Sequence, residues 1–313
     1  MTSAPLRAAT HRLAVDRVTV ETVGALEEAG IETILLKGPS VARWLYEDDG
    51  RRTYGDTDLL VDPARFAEAE GVLARLGFER IVSGEQLREA IPAHTWRRRN
   101  DRRTVDLHRR LPGVEVDPAA GWRLLSARTA GLDIGPVRCR VLDTGARAMH
   151  VAIHAAFHGS EEAQPLEDLR RALARLDDAI WRDAAELAAR SGATPAFALG
   201  LRLEPGGEAV ASRLGLPTAS SVELRLRAST APPLALGLER LASAPGLAAK
   251  LAIVARKLVP SPAVLRSWSP LARRGPLGMA AAYALRPFWL LAHLPAGARA
   301  WRRARKAGER PGP

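Results

Sequence analysis

"LLKGPSVARWLYEDDGRRTYGDTDLLV", residues 35–61, decides how the rest of the chain is read. It runs from a Lys37-Gly38 turn through a helical stretch and a polar break to "DTDLLV", a buried-strand sequence that carries Asp56 and Asp58. Asp is a poor strand former. Side chains alternate along a strand, so both carboxylates project from one face, roughly 7 Å apart. They repel each other unless a cation lies between them, and a divalent ion shared with substrate phosphates is the natural one. A third carboxylate is available at Asp106 in "TVDLH", where Val105 and Leu107 point the other way into a core. The plainer alternative is a pair of surface aspartates on an edge strand.

Working outward, residues 10–30 show helical spacing of apolar residues and stop at Gly30, a C-terminal cap position. "IETILLKG" reads as a strand, and "PSVARWLYED" as a helix with Pro39 in its first turn, broken by "DDGRR". "DPARFAEAEGVLARLGF" is a capped amphipathic helix ending near Gly77. "HTWRRRNDRRTVDLHRRL" suggests a hairpin turning at Asn100-Asp101, with Trp96 as packing, and "GPVRCRVLDTG" a further strand. From Ala146 the pattern is helical almost throughout. The fold class expected is α/β (α+β): a core of a small mixed sheet flanked by helices, then a mainly helical C-terminal region. The divisions are 1–145, a helical domain at 146–230, and a basic, partly amphipathic helical region at 231–313, with a frayed end at "WRRARKAGERPGP".

The Lys-Gly turn, the following helix, Arg-x-x-x-Asp-x-Asp-Leu-Leu-Val and the later Val-Asp-Leu-His resemble the bacterial uncharacterised nucleotidyltransferases. These belong to the DNA polymerase beta-like nucleotidyltransferase superfamily. The matching positions are Lys37, Gly38, Arg52, Asp56, Asp58, Asp106 and His108. The resemblance implies an enzyme that moves a nucleoside monophosphate from an NTP such as ATP to a hydroxyl acceptor, releasing pyrophosphate. Asp56, Asp58 and Asp106 would be the catalytic metal ligands for two Mg²⁺ (or Mn²⁺) ions about 3.5–4 Å apart, with Asp106 also able to act as general base. Lys37, Gly38, Ser40 and Arg52 would bind the nucleotide, Gly38 by letting the backbone approach the triphosphate and the helix N-terminus by its dipole. Pro39 departs from the Gly-Ser or Gly-Gly usual in the superfamily and removes one N–H donor, which the Ser40 hydroxyl could replace. His108 and Asp168 are candidates for the surrounding shell, Asp168 as an acidic group facing the cleft. The helix "PLEDLRRAL" also fits an ordinary amphipathic helix, and a surface charge is the better reading of Asp168.

His150, His154 and His158 recur every four residues on one helix face. Three at this spacing span about 12 Å of rise, too far for one ion, so a packed or nucleotide-facing seam is the better reading. No His-Asp doublet occurs, which disfavours a metal-dependent phosphohydrolase.

The net charge of +11 is localised: residues 231–313 carry 14 Lys/Arg against 2 Asp/Glu, a net +12, whereas the first 230 residues come to −1. That places any anionic partner, RNA or a charged membrane surface, at the C-terminal region, although docking of this segment on the body of the protein is the plainer and better reading. Arg286, Pro287 and Pro295 keep its apolar run short of the ~20 residues a spanning helix needs. One cysteine, Cys139, and no cleavable apolar leader at the N-terminus suit a cytoplasmic protein. Two other classes stay open: a catalytically weak nucleotide-binding protein of the same fold, and an accessory protein working through its basic C-terminus.

Overall fold

In a computed structural model describing residues 4–46, 52–81 and 93–309, a mixed seven-stranded sheet is followed by a helical C-terminal region. Helix α1 (Ala4–Glu28) leads through Gly30, at φ 70°, into β1 (Thr33–Leu35). There follow α2 (Pro39–Leu45), β2 (Asp56–Val61), α3 (Phe66–Arg75), β3 (Phe78–Ile81), β4 (Ala93–Arg98) and β5 (Thr104–His108). Helix α4 (Pro118–Ser126), β6 (Thr129–Ile134) and β7 (Val137–Leu142) complete the sheet region. The expected end of α2 at Glu47-Asp48 and the break after it lie outside the described residues.

The strand order is β3-β4-β5-β2-β1-β7-β6, which puts β2 in the middle. It runs antiparallel to β1 and parallel to β5. The hairpin expected at Asn100-Asp101 joins β4 to β5, and Asp101 fixes it by accepting from the Arg98 guanidinium (2.7 Å) and the Arg103 amide (3.1 Å).

Both faces of the sheet are covered. On one, Leu59, Val61, Val105 and Leu107 pack against Val18 and Leu26 of α1 and Phe66 and Leu73 of α3. On the other, Ile34 and Leu60 meet Leu45 of α2 and a helix from the C-terminal region. Each such leucine, fully buried, contributes roughly 1.5–3 kcal/mol. Because β2 alternates, its aspartates lie on this second face, under the helices.

That covering helix is α5 (Thr144–His158), begun by Asp143, whose carboxylate accepts from the Ala146 amide at 2.9 Å. Around it lie α6 (Ala163–Arg175), α7 (Asp178–Arg190) and α8 (Thr194–Leu201). Helix α8 crosses α5 so closely that a Cβ on Gly200 would overlap the Ala152 carbonyl. Next come α9 (Pro205–Arg213), α10 (Val222–Ala228), α11 (Pro233–Ser243), α12 (Gly246–Leu258) and α13 (Pro262–Trp268). The last helix, α14 (Gly275–Glu309), passes through Pro287 and Pro295 without ending. The frayed end expected from Trp301 is therefore corrected: the chain is helical to Glu309, Ala300 and Ala304 are buried against Leu226 and Leu236, and Trp301 Nε1 donates to Glu239 at 2.7 Å. Residues 310–313 lie outside the description.

Candidate active site

The site begins with β2. Its central place leaves the backbone of Asp58 paired on both sides, and the Leu36 amide donates to the Asp58 carbonyl at 3.0 Å. This bond carries β1 one step further, so that Lys37 emerges beside Asp58 and its Nζ reaches Asp58 Oδ1 at 2.9 Å. On the other side the parallel register aligns Asp56 with Thr104, Asp58 with Asp106 and Leu60 with His108. Neighbouring strands lie about 4.8 Å apart, so Asp58 and Asp106 stand side by side on one face. His108, one strand step beyond, closes the group with Nε2 at 3.1 Å from Asp58 Oδ1. An ionised carboxylate only accepts, so Nε2 carries the proton of this bond.

The electrostatics set the two aspartates apart. Burial alone would raise the pKa of Asp58, which is 1% exposed, but the Lys37 charge and the His108 bond outweigh it and hold the carboxyl well below the usual carboxylate range. Burial also opposes the charge of Lys37, and the Asp58 and Asp56 carboxylates more than restore it, raising its pKa. Asp106 goes the other way: burial and then the neighbouring Asp58 charge raise its pKa, against a hydrogen bond from Thr95, its register partner on β4. Among the described residues, the buried Asp106 Oδ1 has no hydrogen-bond partner, and neither has the buried His108 Nδ1. Asp56, at the start of β2, is half-buried and close enough for its charge to act on Lys37.

The Lys-Gly turn is held from behind. Gly38 sits at φ 61° and ψ −118°, a conformation that L side chains rarely adopt. Arg52 Nη1 donates to its carbonyl at 3.4 Å, while Nε and Nη2 donate to Asp168 of α6 at 2.9 and 2.8 Å. Tyr46 Oη (2.7 Å) and Gln164 Nε2 (3.1 Å) donate to the same carboxylate. Asp168, 1% exposed, is thus no surface charge, and the surface reading of its helix fails at this position. Ser40 is fully buried; its amide donates to the Lys37 carbonyl at 3.3 Å, and its hydroxyl has no partner among the described residues.

The sequence profile of the family described as uncharacterised nucleotidyltransferase matches residues 1–204. The chain belongs to that family. The match takes in every residue of the site and ends beyond α8, leaving the basic C-terminal region outside it. Among solved structures, a crystal structure of an antigenic nucleotidyltransferase-like protein from Paracoccidioides brasiliensis aligns over 59% of this chain and 90% of its own, at 14% identity and a TM-score of 0.34. No curated protein matches. The nucleotidyltransferase family supports a general role in nucleotidyl transfer.

Whether these residues suit a divalent cation can be judged from their donors. Among the described residues, no three or more His, Cys, Asp or Glu side chains form a ready-made metal cage. Mg²⁺ seldom uses one, since it is bound by one or two carboxylates and substrate phosphates. Asp58 and Asp106 in register, with a buried Asp106 oxygen left over, fit that mode.

Sequence reasoning placed the carboxylates and the histidine face but missed two groups around them. Tyr46 and Gln164 complete the Asp168 network, and no local pattern marks either. His150, 4% exposed on α5, lies within reach of the charges of Lys37, Asp58 and Arg52, and burial followed by the Lys37 charge lowers its pKa to about 3. The four-residue histidine spacing was the available signal, because it puts a whole helix face over the sheet.

Proposed function

We propose that this nucleotidyltransferase is metal-dependent and moves a nucleoside monophosphate from an NTP to a hydroxyl acceptor, releasing pyrophosphate. One observation carries the reading: Asp58 and Asp106 stand side by side on parallel strands, and the second keeps an unpartnered buried oxygen. Asp56, Asp58 and Asp106 would hold Mg²⁺ or Mn²⁺ together with phosphate oxygens. When bound, the metal supplies neutralisation of the triphosphate and activation of the acceptor hydroxyl.

The chain's own groups do the rest. Lys37 draws the phosphates to the Asp58 side, and Gly38 lets the backbone approach them. Arg52 acts through the turn it holds, and Ser40 packs beneath it. Asp106, its pKa raised, is suited to take the acceptor proton. The acceptor oxygen bonds to the α-phosphorus, the bond from that phosphorus to the bridging oxygen breaks, and pyrophosphate leaves with the electron pair.

Calorimetry with each of the four NTPs, with and without Mg²⁺, tests this on wild type, Asp58→Asn and Asp106→Asn. Metal-dependent binding of a preferred NTP, lost in both variants, is expected. A folded wild type that binds no NTP with Mg²⁺ or Mn²⁺ overturns the proposal. The Lys37–Asp58 bond favours one second reading, a nucleotide-binding protein without turnover, because Lys37 already neutralises Asp58. Pyrophosphate release in the presence of candidate hydroxyl acceptors separates the two.

A further inference from the structure

The C-terminal helices expose apolar surface that the fold itself does not cover. On α14, Leu277, Ala280, Ala284, Phe288, Leu291 and Pro295 follow one another at steps of three and four, and all six are exposed, Leu277 at 88% and Phe288 at 69%. At 1.5 Å per residue this stripe is about 27 Å long. No Asp, Glu, Lys or Arg interrupts residues 275–298 except Arg286, and that side chain turns inward. It lies over the rings of Trp268 and Trp289, at 4.5 and 4.8 Å, and donates to the Lys257 carbonyl. Helix α12 repeats the pattern: none of its residues is buried, and Leu247, Leu251, Val254 and Leu258 form an exposed row. A patch of this extent marks an interaction surface.

Its flanks say what kind. The α14 stripe is preceded by Arg273 and Arg274 and followed by Arg299, Arg302 and Arg303, all exposed. Among the described residues no helix is long and apolar enough to cross a membrane. An apolar face between cationic ends is the arrangement of a helix lying in a lipid interface, with Trp289 at its edge. A second copy of the chain is disfavoured by charge, since docking this face on itself would bring together two regions of net +12 each.

We propose that α12 and α14 dock the enzyme on an anionic phospholipid surface, with the α14 stripe inserted at the acyl boundary and the flanking arginines on the headgroups. The proposal is independent of the chemistry at Asp58 and Asp106.

Co-sedimentation of the full chain with vesicles of phosphatidylcholine, with and without phosphatidylglycerol, tests it. Binding only to the anionic vesicles, weakened by salt and accompanied by a blue shift of tryptophan fluorescence, is expected. Phe288→Asp/Leu291→Asp, at exposed positions, should retain wild-type circular dichroism and lose the binding. Arg302→Gln/Arg303→Gln, which leaves the apolar face intact, should weaken it by roughly fivefold per arginine. A folded wild type that does not bind, or binding unchanged in the Phe288/Leu291 variant, overturns the proposal. So does a wild-type dimer that this variant dissociates, because a second copy then covers the face.

Discussion

Arg52 and Asp168, 116 residues apart in sequence, form a two-pronged ion pair with neither side chain more than 5% exposed. The pair ties the Lys37-Gly38 turn, through the Gly38 carbonyl, to α6 of the helical region. Tyr46 and Gln164 occupy the remaining capacity of the carboxylate, so the charges are buried but satisfied.

This pair fixes geometry more than it adds stability. Removing one partner strands the other, and Arg52→Ala is expected to cost about 3–5 kcal/mol in urea unfolding. Arg52→Met/Asp168→Leu, which removes both charges, should recover most of that loss. Its affinity for NTP should nonetheless stay low, because nothing then holds the Gly38 carbonyl. Recovery of both properties together would show that the pair serves stability alone.

His108 orients Asp58 in the proposed site. His108→Ala is expected to weaken Mn²⁺ binding by about 10–100-fold, the usual effect of losing a group that positions a metal-binding side chain. Titration followed by electron paramagnetic resonance, with NTP bound, measures it. Unchanged Mn²⁺ affinity would leave His108 a packing residue.

Gly38→Ala isolates the turn. An added Cβ would meet the Asp56 carbonyl at 3.5 Å, an ordinary contact, so the penalty comes from the backbone at φ 61°. A loss of about 1–3 kcal/mol in stability is expected. NTP affinity should fall as well, since relaxing the strain moves the Lys37 backbone. A variant with wild-type stability would show that the turn tolerates the side chain.

Much of this arrangement was legible in the sequence because it is local. "DTDLLV" declares its own alternation, and Val105, Asp106 and Leu107 repeat it, so one rule of strand geometry put three carboxylates on one face. Edge strands β3 and β6 were not seen: "FERI" and "TAGLDI" carry exposed Glu79, Arg80 and Asp133, and their apolar alternation is weak. Asp168 was misread for the opposite reason. Its helix has a strong polar face, and only the tertiary packing that buries Arg52 against it turns a surface pattern into a core ion pair. Tyr46 and Gln164 answer to that same packing.

The pH response of stability follows from the histidine seam. A buried His150 with its pKa lowered to about 3, against an ordinary 6.5, binds fewer protons in the folded than in the unfolded chain. By linkage its contribution is intact above about pH 6.5 and is lost progressively as pH falls toward 3. His154, lowered by burial and then by the Lys37 charge, acts in the same direction. Each contributes a slope on the order of 1.4 kcal/mol per pH unit inside the window. Most carboxylates titrate below about pH 4.5, and Asp106, raised by burial, is common to wild type and His150→Gln. The difference between their urea-unfolding slopes between about pH 7 and 5 therefore reads His150. His150→Gln should reduce the wild-type slope by on the order of 1.4 kcal/mol per pH unit over that interval. Equal slopes for the two proteins would mean that His150 takes up its proton in the folded chain, which the buried charge of Lys37 opposes.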